Sequence, residues 1–418
     1  MQFATQRAGE LLDSKGDGIT AMLLLGAGCA VLAGSSYSSG WMSEFTLCLG
    51  LIVLAAALSV GAIARSAKKT GEIAPMVAGP RRLSAILAAL VLVHCLAAFY
   101  IERVVPGTDI DCFTFQRDAV KTFLRGADPY GATQVNIYSP AQSSIFYGPA
   151  MVVNGRVQVG FQYPPLTLLW AIPGYLLGDV RYSYVLAVVV SAVLCFAMYP
   201  NVPGLCLASF LLLNPVGLYV ESRCWTEPLV FMSLCATLYA SMKTRRWLPV
   251  AVGLFLATKQ YNLLALPFLG SLVVPFRWRS YLKLVGGSLA VAAATILPFA
   301  WWNSRGLWHD LVLFHLAQPF RADSLSLAVP FPVLLKLGPL PVATFAGWGL
   351  WIGMRREAMF AAGYGTCLLL FFSTGKQAFT NYYFLVGQVL LLAAVGFHYI
   401  QSTPCVEAAA RIEVAQLS

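Results

Sequence analysis

The sequence predicts an all-α, polytopic membrane protein, and three observations carry that prediction. Of its 418 residues, 58% are apolar and only 11% charged, whereas a soluble domain carries about 25% charge. Mean hydropathy is +0.71. Apolar windows of roughly 15–20 residues recur along most of the chain, and a helix is the spanning form that satisfies its own backbone hydrogen bonds in lipid. The formal net charge of +10 is spread over short loops. With no basic run of the nucleic-acid kind, it reads as topology information, and no nucleic-acid partner follows.

Taken in order, the first spans fall near 19–36, 45–65 and 82–101. The first follows Glu10, Asp13 and Asp17 and lacks the short basic start of a signal peptide, so it is read as a span. Arg65, Lys68, Lys69, Arg81 and Arg82 lie between the second and third, while the loop SSYSSGWMS between the first two has no basic residue. By the positive-inside bias the basic loop is cytoplasmic, the N-terminus is inside, and the chain after Ile101 is outside.

The segment PPLTLLWAIPGYLLG, from Pro164, is apolar but short, with a proline in its middle. If it crossed, Lys243, Arg245, Arg246, Arg277, Arg279 and Lys283 would all fall outside. Read as a helix in the outer interface, it leaves these clusters, and Arg355 with Arg356, in the cytoplasm. The remaining spans then fall near 182–199, 204–219, 227–242, 247–258, 261–276, 281–299, 339–354, 357–372 and 380–399, with residues 401–418 a cytoplasmic tail. The expected total is about twelve spans.

The outer side carries two long loops, 102–181 and about 300–338, and short ones near Glu221 and Lys376; loops that long usually carry function. No internal repeat stands out, which counts against a secondary transporter. Of ten cysteines, most lie in apolar segments with no metal or CxxC spacing and act as small apolar residues. Only Cys112 and Cys224 share a predicted aqueous face, which is the sole argument for a disulfide between them.

Within DIDCFTFQRDAVKTFLRGADPYG, Asp109 to Gly131, polar Thr114, Arg117, Asp118, Lys121 and Arg125 recur at helical spacing opposite Phe113, Phe115, Ala119, Val120, Phe123 and Leu124. The pattern predicts an amphipathic helix on the membrane surface that ends at Gly126 before an ADPYG turn. Asp109 and Asp111 stand at its start. An Asp there can cap free N–H groups, but one suffices for that. A second carboxylate is a candidate general base towards a hydroxyl. In FQYPPL, Phe161 and Tyr163 are candidates for interfacial anchoring or for substrate contact, and the second proline suits a helix's first turn.

These motifs resemble the GT-C class of membrane glycosyltransferases. An Asp soon after the first core span is followed by an amphipathic helix. A G-x-x-P-Y turn (Gly126, Pro129, Tyr130) comes next, and then Y-P-P-L (Tyr163 to Leu166) opens a short apolar helix. Within that class the chain is most similar to the bacterial glycosyltransferase family 87, over about 82–398. Residues 1–81 then form two added spans with their cytoplasmic loop, and 82–400 the glycosyltransferase domain.

The resemblance implies an enzyme of the bacterial cytoplasmic membrane with its site facing outward. It would move a sugar, mannose in the family's best match, from a polyprenyl-phosphate donor to a lipid or glycan acceptor with inversion, using no cofactor and no metal. Asp111, with Phe115 four residues on, matches the family's base, although Tyr is commoner where Phe115 stands; Asp109 is the alternate. For the donor phosphate, Lys259 and Arg321 match basic positions of the family, the latter before Asp323 and Ser324. Lys259 could equally snorkel, and Arg321 could be an exposed loop charge. Lys376, Gln377, Tyr163 and His315 complete the substrate-binding candidates, although anchoring or packing would explain each as well. Glu221 and Glu227, in ESRCWTEP, depart from the family pattern and have no assigned role. The rival readings are a lipid-linked-sugar transporter, which would bind the same groups without chemistry, and a silent subunit of a cell-envelope complex.

Overall fold

The computed structural model describes residues 80–104, 107, 110–337, 340–353 and 360–417. The two N-terminal spans and Asp109 lie outside the described residues. Helix α1 (Pro80–Val104) is followed by α2 (Asp111–Leu124), α3 (Pro140–Phe146) and α4 (Pro165–Leu176). Between α2 and α4, three two-residue strands, β1 (Gln134–Val135), β2 (Val152–Val153) and β3 (Arg156–Val157), form an antiparallel sheet in the order β1-β3-β2. It is the one departure from an all-helical fold among the described residues.

Next come α5 (Tyr182–Met198), α6 (Val202–Leu213), α7 (Pro215–Ser222), α8 (Glu227–Lys243) and α9 (Leu248–Leu256). A 3₁₀-helix over Gln260–Leu272 precedes the long α10 (Trp278–Trp308). A π-turn, His309–Leu313, leads into α11 (Phe314–Ala317) and α12 (Val333–Leu337). The last three helices are α13 (Leu340–Gly353), α14 (Phe360–Thr374) and α15 (Thr380–Leu417).

Among the described residues, three helices are long and apolar enough to cross a membrane: α1, α10 with its continuation to Ala317, and the Thr380–Tyr399 part of α15. A fourth arises if α6 and α7, bent by 48° about Asn214, form one broken span. Other expected spans are shorter, with 17 residues in α5, nine in α9 and 15 in α14, against about 20 for a full crossing. The expected 261–276 span is wound as the 3₁₀-helix instead. Its rise of about 2.0 Å per residue lets a short segment reach further than an α-helix would. The expected cytoplasmic tail continues the backbone of α15.

α1 turns Leu92, Leu96, Phe99 and Tyr100 outward, and α10 does the same with Leu282, Leu297, Trp301 and Trp308. These rows suit a lipid-facing surface that closes in an aromatic belt. The apolar window of α15, by contrast, is 83% buried. It sits in a core built from α5, α6, α8, α9, α14 and α15 through residues such as Phe231, Phe255, Tyr364, Leu385 and Val389. At one end Arg245 donates to the carbonyls of Leu272 at 3.1 Å and Val274 at 3.4 Å. The basic loops after α8 and before α10 are therefore neighbours.

The loop between α1 and α5 lies over the core. α2 is amphipathic as expected, with Arg117 and Lys121 exposed and Phe113, Phe115, Ala119 and Val120 buried. Its apolar face meets protein rather than lipid: Phe113, Ala119 and Val120 pack with Leu168 and Ala171 of α4 and Phe299 and Leu307 of α10. α4 has 12 residues, about 18 Å of helix, against a hydrocarbon thickness near 30 Å. Arg181 clamps the α4–α5 turn to Asp179 at 2.6 Å and stacks 5.2 Å from the Phe113 ring. Cys112 and Cys224 are both free thiols, so the disulfide considered between them is absent.

Candidate functional site

Asp111 is the first residue of α2. The residue before it, Ile110, is extended and makes no side-chain cap; Asp109, the expected cap or alternate base, lies outside the described residues. Its carboxylate accepts a hydrogen bond from the Tyr147 hydroxyl at 2.9 Å, and its N–H donates to the Tyr138 hydroxyl at 3.1 Å. Removal from water is the largest influence on this carboxyl and raises it above its ordinary pKa; Tyr147, Cys112 and the nearby Arg321 guanidinium pull it back down. Burial and the adjacent Asp111 push the hydroxyls of Tyr138 and Tyr147 well up, so both stay protonated.

Cys112 leads from Asp111 to a second cluster. Its Sγ lies 3.3 Å from the Tyr163 hydroxyl. The Tyr163 ring is 5.3 Å from Lys259 Nζ, with Tyr261 and Tyr382 at 5.1 and 5.2 Å. Lys259 Nζ donates to Glu227 Oε1 at 2.6 Å, and Tyr261 donates to the same oxygen at 3.3 Å. Phe161 and Tyr163 are both buried, which removes interfacial anchoring as their role. Lys259 is buried as well, so it does not snorkel to a water interface.

The cation whose field reaches Asp111 is Arg321, which has Lys376 as a neighbour. Arg321 forks onto Asp323 at 2.7 and 2.6 Å, and its guanidinium lies 4.0 Å from the Phe146 ring and 4.9 Å from that of Phe379. This pairing holds the Asp323 carboxyl below the usual range. Lys376 donates to the carbonyls of Leu316 at 3.0 Å and Gln318 at 2.7 Å, and its own carbonyl accepts from the Arg321 N–H at 3.3 Å. Loss of solvent lowers the Lys376 ammonium below its ordinary value. His315 lies within the field of both Lys259 and Lys376; its Nε2 donates to the Gln162 carbonyl at 2.9 Å, so it packs and positions that loop. Gln377 is half-buried and makes no hydrogen bond among the described residues.

The two long loops, 105–181 and 309–337, are held together by groups that the sequence did not single out. Asp310, in the π-turn, accepts from the N–H groups of Gly160 and Phe161 at 2.9 Å each. Gly160 permits this approach, because a Cβ there would stand 2.2 Å from the Pro129 carbonyl and 2.8 Å from Asp310 Oδ2. Asp128, expected only in a turn, accepts from Asn303 Nδ2 at 2.6 Å. Of the acids without an assigned role, Glu221 faces His94 at 3.3 Å, away from the Lys259 cluster, while Glu227 is central to it.

The structure thus brings Asp111, Tyr163, Lys259, Arg321, Lys376 and His315 into one neighbourhood and adds Tyr138, Tyr147, Glu227, Tyr261 and Tyr382. The sequence drew attention to Glu227, with Glu221 in ESRCWTEP, without assigning it a role. Tyr138 and Tyr147 reach Asp111 from 27 and 36 residues away in sequence, with no periodicity to mark them.

The class this fold defines is a helical membrane protein that holds a cluster of buried charged and hydroxyl side chains. No family model, curated protein or solved structure matches the chain.

Proposed function

We propose that the protein is an inverting membrane glycosyltransferase that uses a polyprenyl-phosphate sugar and acts on a lipid or glycan hydroxyl. Mannose is the leading sugar by resemblance, and the site faces the side opposite the basic loops. The observation that carries this reading is the Asp111 carboxylate, desolvated and oriented by Tyr147, within the field of Arg321 and joined through Cys112 and Tyr163 to the Lys259 cluster.

A carboxylate raised above its ordinary pKa is a stronger base and still ionises near neutrality when a hydroxyl donor and a cation support it. In the proposed step Asp111 takes the proton of the acceptor hydroxyl. The acceptor oxygen forms its bond to the anomeric carbon while the carbon–oxygen bond to the phosphate breaks on the opposite face. The electron pair leaves with the polyprenyl phosphate, a group that needs little acid assistance, and cations at the Arg321 end favour its charge.

The test is transfer by purified protein from a panel of polyprenyl-phosphate sugars, with Asp111→Asn alongside. The variant keeps the Tyr147 contact and loses a base worth about 10²- to 10⁴-fold in rate. Because ionising Asp111 in the fold is unfavourable, its contribution to stability is full below the ordinary carboxylate pKa and lost as pH rises through the raised value. The Asn variant therefore melts at or above the wild-type temperature at neutral pH. Full activity in Asp111→Asn removes the base assignment. Donor binding without turnover by the wild type removes the enzyme reading in favour of transport.

A further inference from the structure

Lys259 is the most buried cation near Asp111, yet its charge is already matched. The pair with Glu227, at 2.6 Å, is sealed from solvent, with the two side chains 7% and 1% exposed. A buried pair of opposite charges presents no net charge to a phosphate, and separating the two would strand one of them in a medium of low dielectric. The phosphate of an anionic donor is better served at the other end, where Lys376 engages only carbonyl groups and the partner of Arg321, Asp323, is 57% exposed, so that pair opens at little cost.

What the pair does offer is hydrogen bonding. An ammonium has three donors, and Glu227 engages one of them. Glu227 Oε2 is buried and has no partner among the described residues, and such an orphan calls for a donor group from outside the protein. Tyr261 and Tyr382 are half-buried, whereas Tyr163 is buried. A carboxylate oxygen and spare ammonium protons held among tyrosines are the complement of a neutral polyol, whose hydroxyls both donate and accept.

We propose that the Tyr163–Tyr261–Tyr382 box around the Lys259–Glu227 pair is the subsite for the neutral hexose ring of the donor, and that Glu227 accepts a hydrogen bond from one ring hydroxyl. Glu227 is then a specificity-determining residue, and Lys259 serves the sugar rather than the phosphate. The assignment rests on the donor class proposed above and adds the division of the site into a neutral sugar end and a cationic phosphate end.

Binding tests it without chemistry. Hexose 1-phosphates of the manno, gluco and galacto series, with singly deoxygenated versions of the tightest, are titrated against the full-length protein in nanodiscs. In the wild type, removing one particular hydroxyl weakens binding about 10- to 100-fold, the range for a hydrogen bond to a charged group, while removing the others has a small effect. Glu227→Gln lowers affinity for the parent sugar by a comparable factor and shows no further loss for that one deoxy analogue.

Glu227→Gln with Lys259→Met removes both charges together, so a melting curve like that of the wild type shows that any loss of discrimination is local. A flat deoxy series, absence of saturable binding, or variants that discriminate as the wild type does would each overturn the subsite. Binding with the expected pattern but no transfer from any polyprenyl-phosphate sugar would leave the subsite standing and remove the transferase. Transfer that is indifferent to Glu227 would do the reverse.

Discussion

Replacing Tyr147 by Phe isolates the hydrogen bond that governs ionisation of Asp111. The ring packs 6.3 Å from both Phe115 and Phe314, and Phe preserves that packing; only the hydroxyl, 2.9 Å from Oδ2, is lost. A hydrogen bond to a charged group contributes about 1.5–3 kcal/mol, and about 1.4 kcal/mol corresponds to one pKa unit. The loss therefore spans roughly one to two units, nearer one where water can replace the donor. Its direction is upward, because the hydroxyl stabilises the ionised form and opposes the effect of burial. The acid limb of kcat/KM for transfer shifts to higher pH by about one unit. Activity well above that limb is retained. The assay is a pH profile of transfer from whichever donor turns over, with Asp111→Asn as the blank. A limb that stays in place, or moves to lower pH, would refute the assigned role of Tyr147.

Arg321→Lys keeps a positive charge but loses the fork onto Asp323 and the stacking on Phe146 and Phe379, so KM for the donor should rise about tenfold while kcat changes less; equal losses in both would refute a binding role. Gly160→Ala forces a Cβ against the Pro129 carbonyl and should lower stability by about 2 kcal/mol, read by thermal melting in detergent. An unchanged melting point would show that the loop yields. Asn303→Ala and Asp128→Ala should each cost about 1 kcal/mol and couple in a double-mutant cycle, whereas additive losses would mean that their 2.6 Å contact carries no energy.

What the sequence made legible follows from where periodicity exists. The polar and apolar positions of α2 repeat at the helical period, so both its extent and its exposed face could be read from the chain. Its partner could not: an apolar stripe looks the same whether it meets lipid or the side of α4, and only the fold decides. The 3₁₀ winding of 260–272 was illegible for a related reason, since a run such as NLLALPFL satisfies any buried helix, and Pro267 alone does not choose the winding. Asp111 was legible as an acid where a membrane chain rarely spends one, but its environment was not. The hydroxyls that set its basicity arrive from loops with no repeat. Lys259 was read as a lone cation because its counter-charge, Glu227, lies 32 residues earlier on another helix.

The local form of α10 explains why these loops hold a defined geometry. Asn303 departs from helical angles, at φ −151° and ψ 82°, and the side chain at this break hooks Asp128 beside the turn that precedes Tyr130. The π-turn that follows gives Asp310 the position from which it binds the N–H groups of Gly160 and Phe161, two residues before Tyr163. A break and a π-turn in one long helix therefore supply two anchors for the loop between α1 and α5, one on each flank of its sheet. Tyr163 ties that loop to Lys259, and through Cys112 to Asp111. Loops are ordinarily the mobile part of a fold; fixed in this way to a long apolar helix, they gain the rigidity that the proposed role of Asp111 requires. Irregular backbone in that helix is tolerated where its freed polar groups find protein partners rather than lipid, which is the situation of Asn303 and Asp310.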